Sequence, residues 1–122
     1  MDFKANKPIY QQIVDFCFAR ILTGEWTPNE RVASVRELAV LLIVNPHTVL
    51  KAYEYLQGED ILYTKRGLGF FLAEDALPKV TKIQKEEFFE NTLEDIFNTL
   101  DLLQIDIEEI VKLYQKRKGG LL

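Results

Sequence analysis

The chain has 122 residues, 48% of them hydrophobic, and a formal net charge of −4 at pH 7. That length allows one compact domain, or a small domain with a helical appendage, and leaves no room for a separate large sensory domain. No stretch approaches the ~20 consecutive apolar residues of a membrane span, and a single cysteine excludes an intramolecular disulfide or a multi-cysteine metal site.

Residues 1–6 read as a frayed arm, with no apolar run after a basic start to suggest a secretion signal. The expected location is therefore the cytoplasm, at the nucleoid. Pro8 opens a first helix at its N1 position. Ile9, Ile13, Phe16, Cys17 and Ile21 recur at spacings of three and four and predict one apolar face, with Cys17 as a buried core thiol. Gly24 ends this helix. Trp26 is expected to pack against it from the following loop, and Glu25-Trp26 can add a short strand to the hairpin further on.

Ser34-Val35-Arg36-Glu37 is a capping box, with Ser34 at N-cap and Glu37 at N3. It predicts a second helix from Val35 to about Leu42, burying Val35, Leu38, Ala39 and Leu42. After Ile43-Val44 a second start signal follows. Asn45 can cap the free backbone N–H groups of a first turn, and Pro46 sits at N1, where its missing N–H costs nothing. This third helix runs to about Gln57 and buries Val49, Ala52, Tyr53 and Leu56, leaving His47, Thr48, Leu50 and Lys51 outside. Two helices joined by so short a turn make a helix-turn-helix, a motif that puts the N-terminal end of its second helix against base edges in the major groove.

Ile61-Leu62-Tyr63-Thr64 and Phe70-Phe71-Leu72-Ala73 are β-prone runs around Lys65-Arg66-Gly67-Leu68-Gly69, which reads as a hairpin and completes a winged helix. Ala76-Leu77-Pro78-Lys79 reads as a boundary between a winged helix-turn-helix at residues 1–75 and a helical segment at 80–118, with Thr81 capping the next helix. In that segment Phe89, Leu93, Ile96, Leu100 and Leu103 recur at four, three, four, three: a heptad seam, which wants a partner helix. Asp106 with Glu109 marks a further start, and Ile107, Ile110, Val111 and Tyr114 form a face of a last helix. One long bent helix is the alternative, since the phase runs on through Ile107, Ile110 and Tyr114. The end, Gly119-Gly120-Leu121-Leu122, is expected to fray. The fold class is thus mainly α with a small β wing.

The expected DNA-facing set is Arg36, Asn45, His47, Thr48, Lys51, Lys65, Arg66 and Gly67. Lys and Arg pair with phosphates or guanine edges, and Thr48 with a phosphate or a base edge. Gly67 shapes the wing turn and lets the backbone come close to DNA. His47 reads either as a solvent-exposed helix residue or as a phosphate or base contact. Arg36 reads as a phosphate contact or as a surface ion pair with Glu37 or Glu59. The negative net charge argues against nucleic-acid binding, because affinity for DNA is largely a phosphate term. Its distribution answers that, since nine of the nineteen acids fall after residue 85, away from the expected DNA face.

The order Ser34-Val35-Arg36-Glu37-Leu38-Ala39, Val44-Asn45-Pro46-His47-Thr48-Val49, Lys51-Ala52-Tyr53, Leu56 and Arg66-Gly67-x-Gly69-x-Phe71 resembles the GntR family of bacterial transcription regulators. The Asn-Pro-x-Thr-Val-x-Lys-Ala-Tyr form with a small C-terminal part is similar to its YtrA-like subfamily, as are Pro8-Ile9-Tyr10-Gln11-Gln12-Ile13 and Thr23-Gly24-Glu25-Trp26. Asn29, Ile43 and Asp60 stand where the family usually has glycine, Val32-Ala33 replaces the usual Leu-Pro, His47 replaces a small polar residue, and Leu68 a basic or polar one. The resemblance implies regulation, most often repression, of a nearby operon, which in this subfamily often encodes an ABC transporter.

The C-terminal seam, with Phe89, Leu93, Ile96, Phe97, Leu100, Leu103 and Ile110, predicts a homodimer on a pseudo-palindromic site in double-stranded DNA. No cofactor or metal is expected, and no effector can be read. The segment is too short for a metabolite pocket within one subunit, although a dimer interface can hold a small apolar ligand. A winged helix used as a protein–protein adaptor is the competing class. One histidine, one cysteine and no catalytic constellation make an enzyme a poor third.

Overall fold

The computed structural model describes residues 7–119. The arm at 1–6 and the end at 120–122, both expected to fray, lie outside the described residues. In chain order the elements are α1 (Ile9–Leu22), α2 (Val35–Leu42), α3 (Pro46–Gly58), β1 (Leu62–Lys65), β2 (Gly69–Leu72), α4 (Ala76–Glu87), a π-helical turn (Phe88–Thr92), α5 (Leu93–Leu103) and α6 (Ile107–Lys118). They divide into two units, Met1–Ile83 and Gln84–Leu122.

In the first unit both start signals form their caps. The Ser34 hydroxyl accepts from the Glu37 N–H, and the Glu37 carboxylate accepts from the Ser34 N–H, each at 3.0 Å. The Asn45 side-chain oxygen accepts from the His47 N–H at 2.8 Å. Val49, Ala52, Tyr53 and Leu56 of α3 are fully buried against α1 and α2. The inner face of α1 is turned from the expected one: Ile13, Cys17 and Ile21 are buried together with Val14 and Phe18. Ile9 stays exposed, and Phe16 lies at the edge with the Arg20 guanidinium over its ring. Two overlapping three-four series run along this helix, and the packed face is the one through Val14 and Phe18. Burial pushes the Cys17 thiol up to about 12, as for an inert core residue.

The wing is a two-stranded antiparallel hairpin with Leu62 opposite Leu72 and Lys65 opposite Gly69. Its third partner is Asn29–Val32 rather than Glu25-Trp26. Asn29 donates to the Leu72 carbonyl, Val32 to the Phe70 carbonyl, and Leu72 to that of Glu30. Trp26 instead turns its ring edge-on to Tyr53, 6.3 Å away, and Tyr53 meets Phe70 edge-on at 5.0 Å. The buried Tyr53 hydroxyl is satisfied by the Ala33 carbonyl at 2.6 Å.

Pro78 does not break the chain. It sits in the first turn of α4, where a proline loses no helical hydrogen bond. Ala76 and Val80 are fully buried in the first unit's core, so that unit runs past residue 75 to Ile83. Thr81 is inside α4, its hydroxyl donating to the Leu77 carbonyl, and does not cap it.

Three helices end in the same way. Val44 donates back to Ala39 and Ile43 to Val40; Ile61 to Leu56 and Asp60 to Gln57; Ile105 to Leu100 and Gln104 to Asp101. This is the paired closure of a Schellman motif, whose left-handed residue is usually glycine. Here it is Ile43 (φ 57°), Asp60 (φ 57°) and Gln104 (φ 56°), and Asn29 is also left-handed at 65°. A β-branched residue is the costliest of these, on the order of 1–3 kcal/mol. Ile43 nonetheless holds the geometry because both closing hydrogen bonds form and its side chain, 89% exposed, meets no neighbour that would clash.

In the second unit the helix continues from α4 through the π turn into α5 with right-handed helical dihedrals at both junctions. Gln104 breaks it, and Asp106 starts α6 by accepting from the Glu108 N–H at 3.0 Å. The segment therefore holds a break rather than one bent helix. No described residue from Gln84 on is buried.

Candidate nucleic-acid interface

The first turn of α3 and the N-terminal end of α2 lie side by side. Arg36, Ala39 and Val40 of α2 face Val44, Pro46 and His47 across a shallow open groove. Because Val49, Ala52, Tyr53 and Leu56 fix the inner face of α3, its rotation about its own axis is set. His47 and Lys51 then point to solvent and Thr48 is half-buried. Asn45 is exposed, but its side-chain oxygen is committed to the cap, so its first job is to position this turn.

Arg36 makes no ion pair among the described residues. Glu37 turns to Arg31 instead, at 3.1 Å, so the ion-pair alternative for Arg36 is not formed. The Glu37 carboxyl is held below its usual range by the Ser34 N–H, then by the Ser34 hydroxyl and by Arg31. Lys7, just before α1, is paired with Asp15. Lys51 is exposed, and its ammonium sits 4.2 Å from the centroid of the Tyr10 ring on α1.

The wing tip is a tight turn. The Leu68 N–H donates to the Lys65 carbonyl at 2.9 Å, and Gly67 has φ 76° at the third position, a conformation that a residue with a Cβ adopts only under strain. Arg66 is exposed there and unpaired among the described residues. Lys65 sits over the Phe71 ring at 4.4 Å, and Phe71 in turn stacks on Tyr63 at 5.8 Å. Phe70 packs on the core beside Tyr53, whereas Tyr63 lies with Phe71 on the opposite face of the hairpin. Sequence reasoning missed Arg31, which bridges to Phe71 across the sheet and to Glu37 at the start of α2. It also missed Tyr10. Arg31 falls in no motif, and Tyr10 stands in the Pro8–Ile13 match without an assigned role; both reach partners some forty positions along the chain, Phe71 and Lys51.

Charge is divided as sharply as burial. Met1–Ile83 carries ten basic and ten acidic residues, and the remainder carries five and nine. The whole excess of acid therefore lies outside the helix-turn-helix unit. Among the described residues no three His, Cys, Asp or Glu side chains converge on a metal position, and no helix is long and apolar enough to cross a membrane.

Residues 9–72 match the family described as bacterial regulatory proteins, gntR family. The chain belongs to the GntR family. It is 34% identical over 110 residues to the HTH-type transcriptional regulator YhcF of Bacillus subtilis, spanning 90% of this chain and 89% of that relative. It is 42% identical over 76 residues to the HTH-type transcriptional repressor YtrA of the same organism, spanning 62% of this chain and 58% of that one. A GntR family transcriptional regulator from Listeria monocytogenes superposes with a TM-score of 0.74 at 35% identity, covering 93% of this chain and 98% of that one. The DNA-binding domain of AraR, solved in complex with operator ORR3, superposes at 0.54 with 27% identity over 60% of this chain and 88% of that one. This GntR protein is thus a winged-helix DNA-binding transcriptional regulator, as its relatives are.

Proposed function

We propose that this GntR regulator binds a pseudo-palindromic operator as a homodimer and represses a nearby operon, with the ABC transporter operon of the YtrA-like subfamily as the leading candidate. His47, Thr48 and Lys51 read base edges and phosphates from the major groove. Asn45 holds the α3 start in register. Arg36 takes a phosphate beside it, and Lys65, Arg66 and the Gly67 turn hold the backbone from the wing. Phe89, Leu93, Ile96, Phe97, Leu100, Leu103 and Ile110 pair the two chains. The observation that carries this reading is the start of α3: capped at Asn45, with the helix locked on its inner face by four fully buried residues, and with His47 and Lys51 presented outward and His47 beside Arg36. The YtrA relative supports repression, and AraR on its operator supports duplex DNA as the partner. The place of action is the cytoplasm, at the nucleoid.

The test is fluorescence anisotropy on the DNA just upstream of the gene, and on duplexes recovered by in vitro selection, against a scrambled duplex at two salt concentrations. Binding specific to one sequence, weakening steeply with salt and lost in Lys51→Ala, is the expected result. No preference over scrambled DNA for any selected duplex would overturn it and favour the adaptor role.

A further inference from the structure

Lys51 is the cation on the outward face of α3, and its ammonium does not hang free in solvent. It is seated 4.2 Å from the centroid of the Tyr10 ring, which α1 supplies from 41 positions earlier in the chain. Tyr10 is half-buried on α1. The seat is also built up around it. Gln11 donates to the Tyr10 hydroxyl at 3.3 Å. Tyr55, one turn beyond Lys51 on α3, is raised in pKa by burial, then by Glu59 and by the nearby Tyr10. Beneath them α1 and α3 pack through Ile13, Cys17, Val49 and Tyr53, all fully buried.

We infer that Tyr10 is a positioning residue for operator binding: its ring face pre-sets the Lys51 side chain for the DNA. The inference rests on the reading of Lys51 as a DNA contact. A lysine carries a long stem and a compact charge, and fixing it at a phosphate or guanine edge costs rotamer freedom. A cation held over an aromatic face has already lost part of that freedom, and the ring attracts the charge without neutralising it. A carboxylate in the same place would hold Lys51 equally well and cancel its charge toward phosphate. Lys7 shows the contrast, since Asp15 pairs it. Phenylalanine preserves the ring face, whereas leucine keeps the bulk and removes it.

The experiment is a double-mutant cycle on the full chain with the selected operator duplex. It uses Tyr10→Leu, Tyr10→Phe, Lys51→Ala and Tyr10→Leu with Lys51→Ala, with thermal melting of each variant to establish that it folds. Tyr10→Leu should weaken binding about threefold, the scale of an exposed cation–π contact. It should leave the slope of log affinity against log salt unchanged, because no charge is lost. Tyr10→Phe should bind as the parent does. In the Lys51→Ala background Tyr10→Leu should have no further effect, and Lys51→Ala alone should lower the salt slope by about one. If Lys51→Ala leaves binding and slope unchanged, the DNA role of Lys51 is wrong and the inference falls with it. If Lys51→Ala weakens binding while Tyr10→Leu does not, or strengthens it, the ring does not position Lys51. Equal losses in Tyr10→Phe and Tyr10→Leu would assign the effect to the hydroxyl and overturn the proposal.

Discussion

Met1–Ile83 seals Ile13, Val49, Tyr53, Leu56 and Ile61 completely from solvent, whereas from Gln84 on no described residue is buried. Yet the second unit is hardly less apolar in pattern. Phe89 is 64% exposed and Leu103 61%, and Phe88, Ile96, Phe97, Ile107, Ile110, Val111, Leu113 and Tyr114 are all exposed as well. The difference lies in geometry. In the first unit α1, α2, α3 and the hairpin surround one another, so each apolar stripe has an inside. In the second, two short helices joined at Gln104 cannot enclose their own stripe. The periodicity of α1–α3 is thus information about one chain. The heptad of Phe89, Leu93, Ile96, Leu100 and Leu103 reads, in our proposal, as information about two.

The largest expected effect is on assembly. Ile96→Asp combined with Leu100→Asp should leave the first unit folded and lower operator affinity on the order of a hundredfold, because two linked recognition helices gain by avidity. Unchanged affinity in an anisotropy titration would mean that α5 pairs nothing. Next in size, Leu56→Ala should cost about 3 kcal/mol in denaturant unfolding, in the range for a buried leucine. Leu103→Ala, its counterpart in the second unit, should cost well under that at concentrations where the chain is monomeric. Equal costs would erase the distinction between the units. Ile43→Gly should stabilise the chain by about 1 kcal/mol by relieving left-handed strain, net of the entropy glycine adds to the unfolded chain, seen as a raised melting temperature.

The smallest effect is a pH dependence. Folding lowers the Glu37 carboxyl below its ordinary value. Its contribution to stability is therefore present above about pH 4.3 and is lost as pH falls through the lower, folded value. Melting profiles of Glu37→Gln should lack this part of the acid limb. An identical limb in both proteins would place the acid sensitivity elsewhere.

What was legible in the sequence was local. The capping box at Ser34, the cap at Asn45, Pro46 at N1 of α3 and the three-four spacing through Leu56 each need only neighbours along the chain, and each is found; Pro8 by contrast is the N-cap of α1, with Ile9 at N1. The family resemblance marked Asn29, Ile43 and Asp60 as unusual, and all three are left-handed. What was not legible was long-range or ambiguous. Pro78 is compatible with a break or with a first helical turn, and burial of Ala76 and Val80 decides for the turn. The pairing of Asn29–Val32 with β2 runs through backbone groups, which carry no side-chain signal. The two series on α1 were equally periodic, and packing chose between them. The seat of Lys51 on Tyr10 joins residues on different helices whose one-dimensional patterns are unrelated.

In the proposed function one unit holds the DNA and the other holds a second chain. Sedimentation of the full chain with a duplex containing one complete operator, across a concentration series, tests it most directly. Two chains per duplex at saturation are expected even at low chain concentration, with Ile96→Asp plus Leu100→Asp shifting the complex toward one weakly bound chain per duplex. A single parent chain saturating the duplex with undiminished affinity would contradict it.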